Sequence, residues 1–93
     1  HDFPLKHVKK PWGSFDQYTL NQPSTVKILT LDPGARTSLQ SHKHRSEFWV
    51  ALDDGLVVQI KGRDISLSKG STITIRRGVK HRLSCKGLQE ARV

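Results

Sequence analysis

The sequence has 93 residues, enough for one small domain and too few for two, because a hydrophobic core needs roughly 50 to 200 residues around it. Apolar residues make up 34%, and no run of about 18 of them occurs, which rules out a membrane-spanning helix in this stretch. Sixteen Lys and Arg against eight Asp and Glu leave a net charge of +8, so an anionic partner of some kind is expected.

The opening string His1-Asp2-Phe3-Pro4-Leu5-Lys6-His7 lacks the apolar centre of a secretory signal, and His1, which reads as the remnant of an expression tag, is set aside. Residues 1–13 read as an N-terminal arm or strand, with Lys9-Lys10-Pro11-Trp12-Gly13 packing across a neighbour. Beyond it the apolar residues follow the period of short, β-branched strands over residues 26–31, 48–52, 56–60, 65–67 and 73–75. Turn chemistry separates them at Asp32-Pro33-Gly34, Asp53-Asp54-Gly55, Lys61-Gly62-Arg63-Asp64, Lys69-Gly70 and Arg77-Gly78. That spacing predicts an all-β sandwich or barrel. No window of about 11 residues shows helical apolar spacing, so little or no helix is expected, with at most a helical turn near residues 14–18. Leu88-Gln89-Glu90-Ala91-Arg92-Val93 reads as the first half of another strand, so residues 14–93 are expected to be a barrel lacking its last stretch. The lone Cys85 cannot form an internal disulfide and reads as a buried filler in a protein of a reducing, cytoplasmic compartment.

Metal-competent residues gather between the strands at 26–31 and 48–52, in Gly34-Ala35-Arg36-Thr37-Ser38-Leu39-Gln40-Ser41-His42-Lys43-His44-Arg45-Ser46-Glu47. On an extended chain Gln40, His42 and His44 share a face, and Glu47 rejoins that face only if the chain bends near Arg45. Imidazole nitrogens beside carboxylate and amide oxygens suit a divalent first-row transition ion and suit calcium poorly. One segment cannot close such a site. His81, at a strand start after the turn at Arg77-Gly78, is the expected distant ligand.

These residues resemble the cupin family, whose first motif runs G-x5-H-x-H-x(3,4)-E-x6-G and whose second runs G-x5-P-x-G-x2-H-x3-N. Gly34, Gln40, His42 and Glu47 keep the first spacing, with glutamine in place of the first histidine and one extra residue before Gly55. Gly70, Arg76, Gly78, His81 and Cys85 keep the second, with Arg76 for the proline and Cys85 for the asparagine. The glutamine, together with Lys10-Pro11-Trp12-Gly13-Ser14-Phe15 and His81-Arg82-Leu83, is similar to the type II mannose-6-phosphate isomerase domain, which stands alone or follows a mannose-1-phosphate guanylyltransferase domain.

The resemblance implies a cupin double-stranded β-helix, a jelly-roll barrel. It also implies interconversion of mannose 6-phosphate and fructose 6-phosphate through an enediol, with Gln40, His42, Glu47 and His81 on a divalent Zn, Mn, Co, Ni or Fe ion. Such chemistry needs a Lewis acid, a base and a phosphate clamp. His44 and Glu47 are the candidate bases, and Arg36 shares the inward parity that would let it act beside them. Lys43, Arg45, Lys80 and Arg82 are the candidate phosphate contacts, although alternation places Arg82 on the face opposite His81. Trp12 is read as core, and Trp49 as lining the barrel with the parity of Glu47. Expected partners are a phosphorylated sugar and a second copy of the chain as a homodimer, with no nucleic acid and no membrane. A cupin can also host other metal chemistry, as a dioxygenase or a non-enzymatic sugar-binding module, because fold does not fix function.

Overall fold

A computed structural model describes residues 4–18 and 25–93; His1 and the start of the expected arm lie outside them. Among the described residues there are nine strands and no helix. They are β1 (Lys6–Lys10), β2 (Gly13–Gln17), β3 (Lys27–Leu31), β4 (Glu47–Val50), β5 (Leu56–Ile60), β6 (Arg63–Leu67), β7 (Thr72–Ile75), β8 (His81–Cys85) and β9 (Ala91–Arg92).

The strands pair antiparallel as β1-β2-β3-β9, β4-β7 and β6-β5-β8. Leu52 N donates to Arg92 O at 2.9 Å, which ties the end of β4 to β9 and extends the first ladder towards the β4-β7 pair. On the other side, residues 34–40 run along the free edge of β8 through bridges at Arg36–Ser84 and Gln40–His81. Two walls result, the jelly-roll arrangement of the cupin fold.

Alternation places the core between the walls. Leu31, Ala51, Ile75 and Ala91 face inward from one side and Leu56, Val58, Leu67, Leu83 and Cys85 from the other, all within one buried cluster. Each of the larger aliphatic side chains removed from water there contributes about 1.5–3 kcal/mol. Trp12 packs against this cluster from outside it. Cys85 is 1% exposed, and its thiol donates to Gln89 O.

Residues 14–17 belong to β2, where the sequence allows a helical turn. Phe15 pairs with Val8 on one side and Leu29 on the other, and two ladders outweigh a weak local preference. The chain enters β2 through Gly13, at φ +149°, where a Cβ would stand 1.9 Å from Thr30 O, so only glycine lets β2 and β3 close up at this end. Gly13→Ala is therefore expected to lower stability by about 2–4 kcal/mol, read as a reduced urea midpoint with an unchanged slope.

Candidate metal centre

Glu47 opens β4, and the chain bends at Lys43–His44 just before it. The bend returns Glu47 to the face of His42, which a continuous strand would not do. The turn before β8 helps hold the loop. Gly78, at φ +78°, donates its N–H to His42 O at 2.7 Å. His81 starts β8 and exchanges two backbone hydrogen bonds with Gln40, at 2.9 and 2.8 Å, so the two side chains leave the sheet on one face.

The ligand atoms of His42, Glu47 and His81 all lie within 4.8 Å of one another. Glu47 Oε2 stands 3.5 Å from His42 Nε2, and Oε1 stands 3.6 Å from His81 Nε2. Donors about 2.1 Å from a first-row ion sit about 3–3.5 Å apart, so the cluster fits one ion. The hydrogen bonding fits as well: His81 Nδ1 donates to Val79 O at 3.0 Å, because a carbonyl only accepts, and Nε2 is the ring nitrogen turned towards Glu47. Trp49 Nε1 donates to Glu47 Oε1 at 3.2 Å and meets the His81 ring edge-on, with centroids 5.6 Å apart, so the indole fixes both ligands.

The remaining expected site residues are dispersed. Gln40 lies beside His81 but is exposed, and its amide donates to Ser38 Oγ. His44 and Lys43 are exposed on the rim of an open basin of about 400 Å³ that they share with Ser41, His42 and Arg45. Lys80 is exposed in the loop before β8. Arg45 reaches the cluster itself, its guanidinium 3.1 Å from Glu47 Oε2 and 3.3 Å from His42 Nε2. Arg36 and Arg82 are on the outer surface of the β6-β5-β8 sheet, away from the ligands. Arg36 bridges to Ser84, an outward residue of β8, so the inward parity read for it does not hold in the structure.

Lys27 escaped the sequence reading. It shares the inward face of β3 with Leu29 and Leu31, and its ammonium lies 4.7 Å from the centre of the Phe15 ring, with that of Lys10 5.8 Å away. Burial and then Arg45 hold its pKa below the ordinary lysine value, while Glu47 raises it, so Lys27 is within electrostatic reach of the cluster. The alternation Lys27-Ile28-Leu29-Thr30-Leu31 carried that signal: a lysine at an inward position.

The family described as Mannose-6-phosphate isomerase C-terminal matches residues 4–91. The chain belongs to this family. Its fold is that of a cupin: the Schizosaccharomyces pombe Cnp3 cupin domain superposes with a TM-score of 0.78 at 18% identity, covering 85% of this chain and 58% of that one. Among curated relatives, the xanthan biosynthesis protein XanB of Xanthomonas campestris pv. campestris (strain B100) is 35% identical over 82 residues, 88% of this chain and 18% of that protein. The mannose-1-phosphate guanylyltransferase of Salmonella montevideo is 34% identical over 82 residues, 88% of this chain and 17% of its own length.

The chain thus spans under a fifth of the length of these relatives. Their names refer to guanylyl transfer and polysaccharide biosynthesis, and this domain is the C-terminal one of the family description. This overturns the isomerase activity expected from the sequence; a cupin domain of a kind carried by enzymes is what stands.

His42 offers a test of the electrostatics. Burial, and after it the Arg45 guanidinium, holds its imidazole below the ordinary histidine value, with Glu47 acting the other way. The unfolded chain then takes up a proton more readily than the folded one. The stability tied to this group is complete above the ordinary histidine value and is lost as pH falls towards the lower folded value. Arg45→Ala removes the nearest cation, so the His42 midpoint in a side-chain NMR titration is expected to rise; an unmoved midpoint would leave burial, with the smaller effects of His81 and Lys27, as the cause.

Proposed function

We propose that this chain is a metal-binding cupin domain that holds a phosphorylated sugar in the barrel mouth. The observation that carries the reading is the convergence of His42, Glu47 and His81 on one point, with two imidazoles and a carboxylate as donors. These three, with Gln40 beside His81, would hold a divalent first-row ion. When bound, such an ion supplies Lewis acidity towards sugar oxygens.

The residues of the chain account for the rest of the ligand. Arg45 and Lys27 bring positive charge to the mouth, the one from the loop before β4 and the other from β3. Phe15, below the two lysine ammonium groups, presents a ring face suited to the apolar side of a pyranose. Trp49 orients the carboxylate and, with Val79 O, the His81 ring. The names of the curated relatives, which include mannose-1-phosphate, support a sugar phosphate as the class of ligand.

A second reading rests on the donor set itself. Two histidines and one carboxylate make the facial triad of ferrous oxygenases, so a redox reaction on ferrous iron is the competing chemistry. Oxygen uptake by the iron-loaded protein in the presence of a sugar substrate would favour it.

Calorimetric titration of chelator-stripped protein with Mn²⁺, Co²⁺ or Zn²⁺ is expected to show one ion per chain. Glu47→Gln and His81→Ala should each weaken binding by about 100-fold, while His44→Ala leaves it unchanged. With metal bound, mannose 1-phosphate should bind at least about tenfold more tightly than mannose, and Lys27→Gln should erase that margin. Metal affinity indifferent to both ligand substitutions would sink the reading.

A further inference from the structure

Strand β8 has two faces with different chemistry. His81, Leu83 and Cys85 point inward and are at most 4% exposed. Arg82 and Ser84 point outward, where Arg82 lies opposite Gln59 and Ser84 opposite Val57 on β5. Gln59 in turn lies opposite Asp64 on β6, and Arg36 bridges to Ser84 from the far edge. With Lys86, these residues line a recess of about 200 Å³ on the outer surface of the β6-β5-β8 sheet, across the sheet from His42, Glu47 and His81.

Arg82 is held in place there. Its Nε donates to Thr37 O at 2.9 Å, which orients the guanidinium and leaves both terminal amino groups without an acceptor among the described residues. Thr37 is itself fixed, because its N–H donates to Leu83 O and its hydroxyl oxygen accepts from Leu83 N. Among the described residues the arginines in ion pairs are Arg45 and Arg92; Arg36, Arg82 and Lys86 form none, even with Asp64 in the same recess. Three cations therefore face one short hollow with a single carboxylate, Asp64, and two further polar groups that can donate, the Gln59 amide and the Ser84 hydroxyl.

We propose that this recess is a second anion site, separate from the metal centre, that takes the phosphate group of a small molecule. Arg36 lies beside Ser84 across the sheet edge and Arg82 two residues from it along β8, and a guanidinium is a forked donor suited to a tetrahedral oxyanion. A metal cation is disfavoured by three positive charges against a single carboxylate. A nucleic-acid strand is disfavoured because no aromatic side chain lines the recess on which a base could stack. The recess, at about 200 Å³, has room for a phosphate group and part of the small molecule that carries it.

The site is tested by titrating inorganic phosphate into the isotope-labelled 93-residue protein at constant ionic strength, with chloride as the control anion. Saturable amide shifts are expected at Arg36, Gln59, Arg82 and Ser84. Arg36→Gln and Lys86→Gln, both at exposed positions, should each weaken phosphate about three- to fivefold, and Arg82→Gln should weaken it more. Lys9→Gln, on β1 of the other wall, should change nothing, and metal affinity should be the same in all four variants. Shifts confined to residues 41–45 would overturn the proposal. So would a loss in Arg36→Gln no greater than in Lys9→Gln, or an acidic peptide that competes at least as well as phosphate.

Discussion

The structure depends on the seam between residues 34–40 and β8. Gly34 and Ala35 exchange hydrogen bonds with Cys85, Thr37 bonds Leu83 twice, and Gln40 bonds His81 twice. This seam adds an edge to the β6-β5-β8 sheet, and it also fixes where the 41–46 loop begins. Because Gln40 is pinned opposite His81, the loop is anchored two residues before His42 at one end and at Glu47 of β4 at the other. The spacing of the three ligands is therefore a property of the sheet. A loop without that anchor would carry His42 and Glu47 at no defined distance from His81, and the ordering entropy of a site assembled on binding would be charged against every ligand.

What could be read in the sequence follows from how far each signal reaches. The central strands were legible because alternation is local and the turns at Asp53-Asp54-Gly55 and Lys69-Gly70 mark their ends. The ligand triad was legible because fixed spacings in two segments carry it, even with glutamine and arginine in place of the usual residues. β2 was not legible: Ser14, Asp16 and Gln17 have no strong strand preference, and the strand exists because β1 and β3 flank it. The cations named from sequence include Arg45, which does touch Glu47, but not Lys27. Lys43 and Lys80 are near ligands in sequence yet exposed, whereas Lys27, remote in sequence, is within electrostatic reach of Glu47 and Arg45. Sequence distance stands in for spatial distance within one hairpin and loses that meaning between walls.

The assignment of Arg36 shows the limit of parity. Counting by twos from Gln40 places Arg36 inward, but the segment contains a buried Thr37 whose hydroxyl bonds the Leu83 backbone, and the parity does not run unbroken through it. Arg82 behaved as alternation requires, because β8 is a regular strand fully paired with β5. Period-two arguments hold on ladders with partners and fail on edges held by single bridges.

The inward lysines show a compromise between stability and the site. On β3, Leu31 at the closed end is fully buried, Leu29 packs on the core, and Lys27 occupies the next inward position towards the mouth. An apolar residue at Lys27 would extend the core by one layer. Instead the chain keeps a partly desolvated ammonium whose charge is disfavoured by burial and by Arg45, with the face of Phe15 and the carboxylate of Glu47 as its compensation. Native sequences depart from the most stable pattern mainly where a site needs it. Along β3, one strand therefore runs from the core towards the His42, Glu47 and His81 cluster, and the change from leucine to lysine marks where the packed interior ends.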